Sequence, residues 1–287
     1  LIVDTFPAFL AFWEKAQHLS LDTQIDGWAS DYMAQWSELL EKQIQSYVEY
    51  GDDWRDVARE RVIPFWVERL PSMQCAHEYL LRVCAPVYER AQATLGFRQA
   101  LAFVIYVGIG CGAGWATMYQ DNPAILFGLE NIAEEGWDDA AVLWGMIAHE
   151  IGHLWHFEQL AQADLTLGKG PWWDLYTEGL AQRCEHIIAG QESWHMAAKD
   201  ADWAQWCEHE KSWLAREFLR VVEAGGDIRP FFGSWFAIRG RKQTGYFLGC
   251  EVIRQLEAQK TLQEIALLED VEAVFSDVLR AIAADGD

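Results

Sequence analysis

The sequence predicts a predominantly helical α+β protein, with a small mixed sheet and a helical N-terminal region. Three observations carry that prediction: apolar residues recur at helical spacing along most of the chain, only two short stretches read as strands, and a Gly-rich run separates those two. At 287 residues, 51% of them hydrophobic and 14% aromatic, the chain can bury a substantial core as one large or two ordinary domains. Residues 1–98 are expected to form a helical region packed on a core of residues 99–287, because no Ser- or Gly-rich linker divides them.

From Phe6 to Leu95 the periodicity is helical throughout, as in Trp36, Leu39, Leu40, Ile44 and Tyr47, and again in Leu80, Leu81, Cys84, Val87 and Tyr88. Leu101 to Gly110 and Asn122 to Glu130 then read as strands. The intervening Gly108, Gly110, Gly112 and Gly114 lack the Lys-Ser/Thr of a phosphate loop and the spacing of a dinucleotide fingerprint, so they read as a tight turn. Helices are expected at about 139–161, 172–190, 201–224, 243–258 and 270–284, with Gly225-Gly226 ending the third. No internal repeat is apparent.

The chemistry concentrates in the first of these helices, where His149-Glu150-Ile151-Gly152-His153 forms an H-E-x-x-H element inside an apolar run. Residues four apart share a helix face, so two imidazoles can bind one ion with Glu150 beside them as a general base. Trp144, Met146, Ile147, Leu154, Trp155 and Phe157 make the helix apolar nearly all round, hence buried. A buried helix must satisfy such polar groups, and a hydrogen-bonded trio without metal is the bland alternative. His156 lies two turns from His149 and reads as a core histidine rather than a ligand of the same ion. Position 159 is Gln159 and Gly is absent at 156, which excludes the metzincin continuation.

Glu178, opening a second apolar helix after Gly168-Lys169-Gly170-Pro171, is the stronger third ligand. Two His, one Glu and an open position form a catalytic zinc arrangement, since structural sites are closed by four protein ligands. Here the chain resembles the gluzincins, the thermolysin-like clan of zinc metallopeptidases, and within it a group of predicted zinc-dependent proteases. The similarity rests on His149-Glu150, on Glu178-Gly179-Leu180-Ala181, on the two strands and on Gly245-Tyr246-Phe247-Leu248-Gly249, and it covers roughly residues 100 to 258. It implies a gluzincin-like catalytic domain over 99–287 with one zinc per chain, His149, His153 and Glu178 as ligands, and Glu150 as general base. Tyr246 resembles the clan's oxyanion donor; an ordinary core tyrosine is the equal alternative.

Clan members commonly carry an acid four residues after the liganding Glu to orient a zinc-bound His. Here that position is Gln182, an acceptor without charge. Asp174 and His186 are the alternative orienting groups, Asp174 being as readily a helix N-cap. The strand residues Ala124, Ile125, Leu126 and Phe127 are expected to bind substrate if they form a sheet edge to which an extended peptide can add, a position that Pro123 suits. The alternative is that they simply bury a small sheet.

The implied activity is hydrolysis of a peptide bond in a peptide or protein substrate. Other readings are a zinc hydrolase acting on a non-peptide amide or ester, and a non-catalytic metal- or peptide-binding protein. A net charge of −22 argues against nucleic acid and anionic membrane surfaces, and no uncharged apolar run is long enough to span a membrane. Six cysteines without C-x-x-C spacing read as reduced thiols of a cytoplasmic protein. The first residues show no secretory signal, although a chain that does not begin with Met is compatible with a removed leader.

Overall fold

The structure, a computed structural model, describes residues 1–285 and is a predominantly helical α+β fold with one four-stranded mixed sheet. It divides into two compact units, residues 1–86 with 98–147 and residues 87–97 with 148 onward. These boundaries differ from the expected split after residue 98: the sheet belongs with the N-terminal helices, and two of the three divisions fall inside long helices.

The first unit opens with strand β1 (Ile2–Asp4), followed by helices α1 (Phe6–Ala16), α2 (Leu21–Gly27), α3 (Ser37–Tyr50), α4 (Trp54–Val57) and the start of α5 (Trp66–Leu95). Wider π and tighter 3₁₀ turns at 28–36 and 58–65 interrupt the helical run that the periodicity predicts as continuous. Its aromatic core includes Trp66, whose ring meets Phe9 and Trp13 edge-on at 5.3 and 5.2 Å.

Strands β2 (Ala102–Tyr106), β3 (Trp115–Tyr119) and β4 (Asn122–Gly128) complete the sheet in the order β1-β2-β4-β3, with β1, β2 and β4 parallel and β3 antiparallel. Sequence reasoning missed β1 and β3. The β3–β4 hairpin turns through Gln120 and Asp121, both at positive φ, as a two-residue turn matched to strand twist requires. The topology also corrects the expectation for Ala124, Ile125, Leu126 and Phe127. Their strand is interior, bonded to β2 on one side and β3 on the other, and all four are fully buried. No free ladder remains there for a peptide to join, and Pro123 is the second residue of the strand, opposite Met118.

Helix α6 (Leu129–Glu135) follows, then α7 (Ala140–Gln162), which carries the chain into the second unit. That unit contains α8 (Pro171–Ala189), α9 (Trp203–His209), α10 (Lys211–Glu223), α11 (Arg229–Phe232), α12 (Thr244–Leu256), α13 (Leu262–Ala266) and α14 (Val271–Ala284). Each main helix matches an expected one to within a few residues, except that 201–224 is two helices, α9 and α10. Among the described residues no helix is long and apolar enough to cross a membrane, and all six cysteines are free thiols.

Candidate metal centre

Two glycine contacts set the distances between the helices of the site. On α7, a Cβ at Gly152 would lie 2.8 Å from the Cβ of Cys184 and 2.9 Å from the Cα of Ala181, so only glycine lets α8 come this close. Helix α8 starts after Gly170, at φ 101°, a conformation that L side chains rarely adopt, and opens with Pro171, whose fixed φ suits a first helical turn. One turn beyond Asp174, Glu178 then faces the histidines of α7. On its other side α8 meets α12, where a Cβ at Gly249 would approach the carbonyl oxygen of Leu175 to 2.3 Å.

The result is a convergence of three ligand atoms. His149 Nε2 lies 3.1 Å from Glu178 Oε2 and 3.1 Å from His153 Nε2, and His153 Nε2 lies 3.4 Å from Glu178 Oε2. Three lone-pair-bearing atoms aimed at one point repel unless a proton or a cation lies among them. Ligands held at about 2.0–2.1 Å around a tetrahedral zinc ion are about 3.3–3.4 Å apart, so the spacing of these three atoms is compatible with one such ion. His149 is buried, whereas His153 and Glu178 are part-exposed, which gives the site one accessible side. Burial alone would raise the Glu178 carboxyl, but the His153 and His149 imidazoles carry it well below the usual range. His153 is the converse: burial opposes its charge, and Glu178 and then Glu150 nevertheless raise its pKa.

Glu150 follows His149 on the same helix and is nearly buried. Its charge acts on both His153 and Tyr246. The Tyr246 ring, from the first turn of α12, lies 5.4 Å from that of His149, and its hydroxyl interacts with Glu178. Burial, followed by the charges of Glu178 and Glu150, raises the phenol well above its ordinary pKa and keeps it protonated as a donor.

The expected orienting groups lie elsewhere. The Gln182 amide donates to the Ser193 carbonyl at 2.7 Å and meets His186 Nε2 at 3.1 Å. His186, pushed down to about 4 chiefly by burial, also contacts Arg254, so it serves a peripheral network. Asp174 reaches the surface one turn before Glu178; desolvation of the part of its carboxyl packed against the protein, and then that neighbour's charge, raise its pKa. The group facing His149 from behind is instead Glu185, fully buried, with Oε2 3.9 Å from His149 Nδ1. His195 Nδ1 shares the same oxygen at 2.7 Å. Neither residue belongs to a motif; the one sequence signal was Glu185 lying seven residues, two helical turns, after Glu178. His156 is a core residue as expected, 5.0 Å ring to ring from Tyr176 and held neutral by burial.

His149, Glu185 and His195 form a second group of metal-capable side chains overlapping the first. The geometry thus contains buried His and Glu sets that could hold a metal ion, of which only His149, His153 and Glu178 leave an accessible side. Compared with protein-family models, curated proteins and solved structures, the chain matches none.

Proposed function

We propose that this chain is a zinc-dependent metallopeptidase of gluzincin type, cleaving a peptide bond with Glu150 as general base. The observation that carries the reading is the meeting of His149 Nε2, His153 Nε2 and Glu178 Oε2 within 3.1–3.4 Å of one another, beside a glutamate and a protonated tyrosine. His149, His153 and Glu178 would hold the ion. When bound, zinc supplies Lewis-acid polarisation of a carbonyl and lowers the pKa of water from about 15.7 to about 7.

The chain's own residues supply the rest. Glu150 takes the proton of the attacking water and passes it to the leaving amine, the two roles of one carboxylate in general acid–base catalysis. Tyr246 donates its hydroxyl proton in a hydrogen bond to the oxyanion that develops at the scissile carbonyl. A donor fixed before the reaction needs no reorganisation in the transition state, and burial holds this one in its protonated form. A site built only for binding has no use for a base at this position, which favours hydrolysis over passive metal storage.

The test is zinc content of protein purified without added metal, measured for the native chain and for His153→Ala, Glu178→Ala and Glu150→Gln, with a peptide-library cleavage screen. The expected result is about one zinc per chain, lost in the first two variants and retained in Glu150→Gln, whose cleavage is abolished. Zinc retained without Glu178, or cleavage undiminished without Glu150, overturns the assignment.

A further inference from the structure

We propose that Glu185 is the positioning residue for the metal ligand His149, and that the segment Ser193–His195 exists at this site to hold Glu185 in place. The inference rests on the metal-centre reading above and adds a residue to it. Helix α8 presents Glu178 and Glu185 two turns apart, so the one helix reaches His149 twice, once at each ring nitrogen.

His149 Nε2 faces the other two ligands, which leaves Nδ1 to carry the ring proton whenever Nε2 binds a cation. That Nδ1 is buried and makes no hydrogen bond, and Glu185 Oε2 lies 3.9 Å from it. A buried N–H without an acceptor is destabilising, because it has given up its bond to water and gained nothing in return. A shift of about 1 Å brings the pair to hydrogen-bonding distance. Metal-binding histidines commonly donate the second ring nitrogen in this way, which fixes the tautomer and raises the basicity of the ligating one.

The carboxylate is prepared for that role. Oε1 accepts from the Ser193 hydroxyl at 2.6 Å and from the His195 backbone N–H at 3.2 Å, and Oε2 is bonded to His195 Nδ1 at 2.7 Å. Gln182 fastens the same segment through its bond to the Ser193 carbonyl. The substitution of an amide for an acid at position 182 is therefore compensated from position 185: Gln182 holds the segment, the segment holds Glu185, and Glu185 faces His149.

The experiment compares native protein with Glu185→Gln and Ser193→Ala, each stripped of metal and reloaded. Zinc affinity is read by chelator competition, and the visible d–d spectrum is read at saturating Co²⁺. Native protein is expected to bind one zinc. Glu185→Gln should bind one zinc about 10–100-fold more weakly, with shifted cobalt bands that a purely structural role would not move. Ser193→Ala loosens the carboxylate without removing it, and should weaken zinc in the same direction by less; it decides the matter if Glu185→Gln does not fold. Affinity within twofold of native and an unchanged cobalt spectrum in the folded variants overturn the role of Glu185 while leaving the metal centre standing. A second zinc per chain, lost in Glu185→Gln, overturns it by making the carboxylate a ligand. Absence of zinc from the reloaded native protein overturns both the positioning role and the metal-centre reading.

Discussion

Gly179 and Gly249 meet backbone to backbone: a Cβ on Gly179 would lie 2.3 Å from the carbonyl carbon of Gly249, and one on Gly249 would lie 2.8 Å from the Cα of Gly179. Helices α8 and α12 therefore cross at the distance of two bare backbones. Glu178 immediately precedes Gly179 on α8, and Tyr246 lies about one turn before Gly249 on α12.

A methyl group at this crossing must push the helices apart. Gly249→Ala is expected to destabilise the protein by about 1–3 kcal/mol, the range for overpacking a close-packed interior. It should also carry Tyr246 away from Glu178. Thermal melts check the first effect, and peptide-cleavage rates with zinc content check the second: turnover should fall while zinc remains.

Tyr246→Phe removes the hydroxyl and little else. If this donor meets the developing oxyanion, kcat should fall about 10²–10³-fold, the effect of deleting one such donor. KM and zinc stoichiometry should stay near native values. Steady-state kinetics beside metal analysis separate this from a packing defect, which would disturb all three.

In the first unit, Glu130 is fully buried and accepts from the Gly108 and Gly110 amides at 2.7 and 3.1 Å. Burial pushes its pKa up to about 7, with those amides and Arg69 opposing the rise. A folded-state pKa above the unfolded value means that the native state holds the proton more tightly. The stability associated with that proton is fully present below about pH 4.5 and is lost as pH rises through 7, a change of about 3 kcal/mol at 1.36 kcal/mol per pKa unit. Glu130→Gln cannot titrate. The native-minus-variant difference in urea-unfolding free energy should therefore fall by that amount between pH 4.5 and 8; a constant difference would show that Glu130 keeps an ordinary pKa.

The parts of this architecture visible in the sequence are those that repeat locally or belong to a motif. Helix α7 and its H-E-x-x-H element follow from apolar spacing, and Glu178 from the helix after the Gly-Lys-Gly-Pro break. The missed parts are fixed by distant partners. Three residues of β1 carry no period of their own and are a strand only because β2 lies beside them. β3 begins straight after the glycine run, so Trp115 to Tyr119 merged with the turn. The interior position of β4 depends on those two strands. Glu185 and His195 escaped because their meeting needs a loop folded back against α8, and the loop is secured by polar contacts that leave no pattern.

The register of β1 also has a temporal side. Ile2 pairs with Phe103 and Asp4 with Ile105, so the earliest part of this segment to leave the ribosome must await a partner made some hundred residues later. At about 5–20 residues per second, that wait is on the order of 5–20 seconds. Closure of so long a loop precedes any reward from the pairing, and until β1 pairs, the edge of β2 facing away from β4 has no strand beside it.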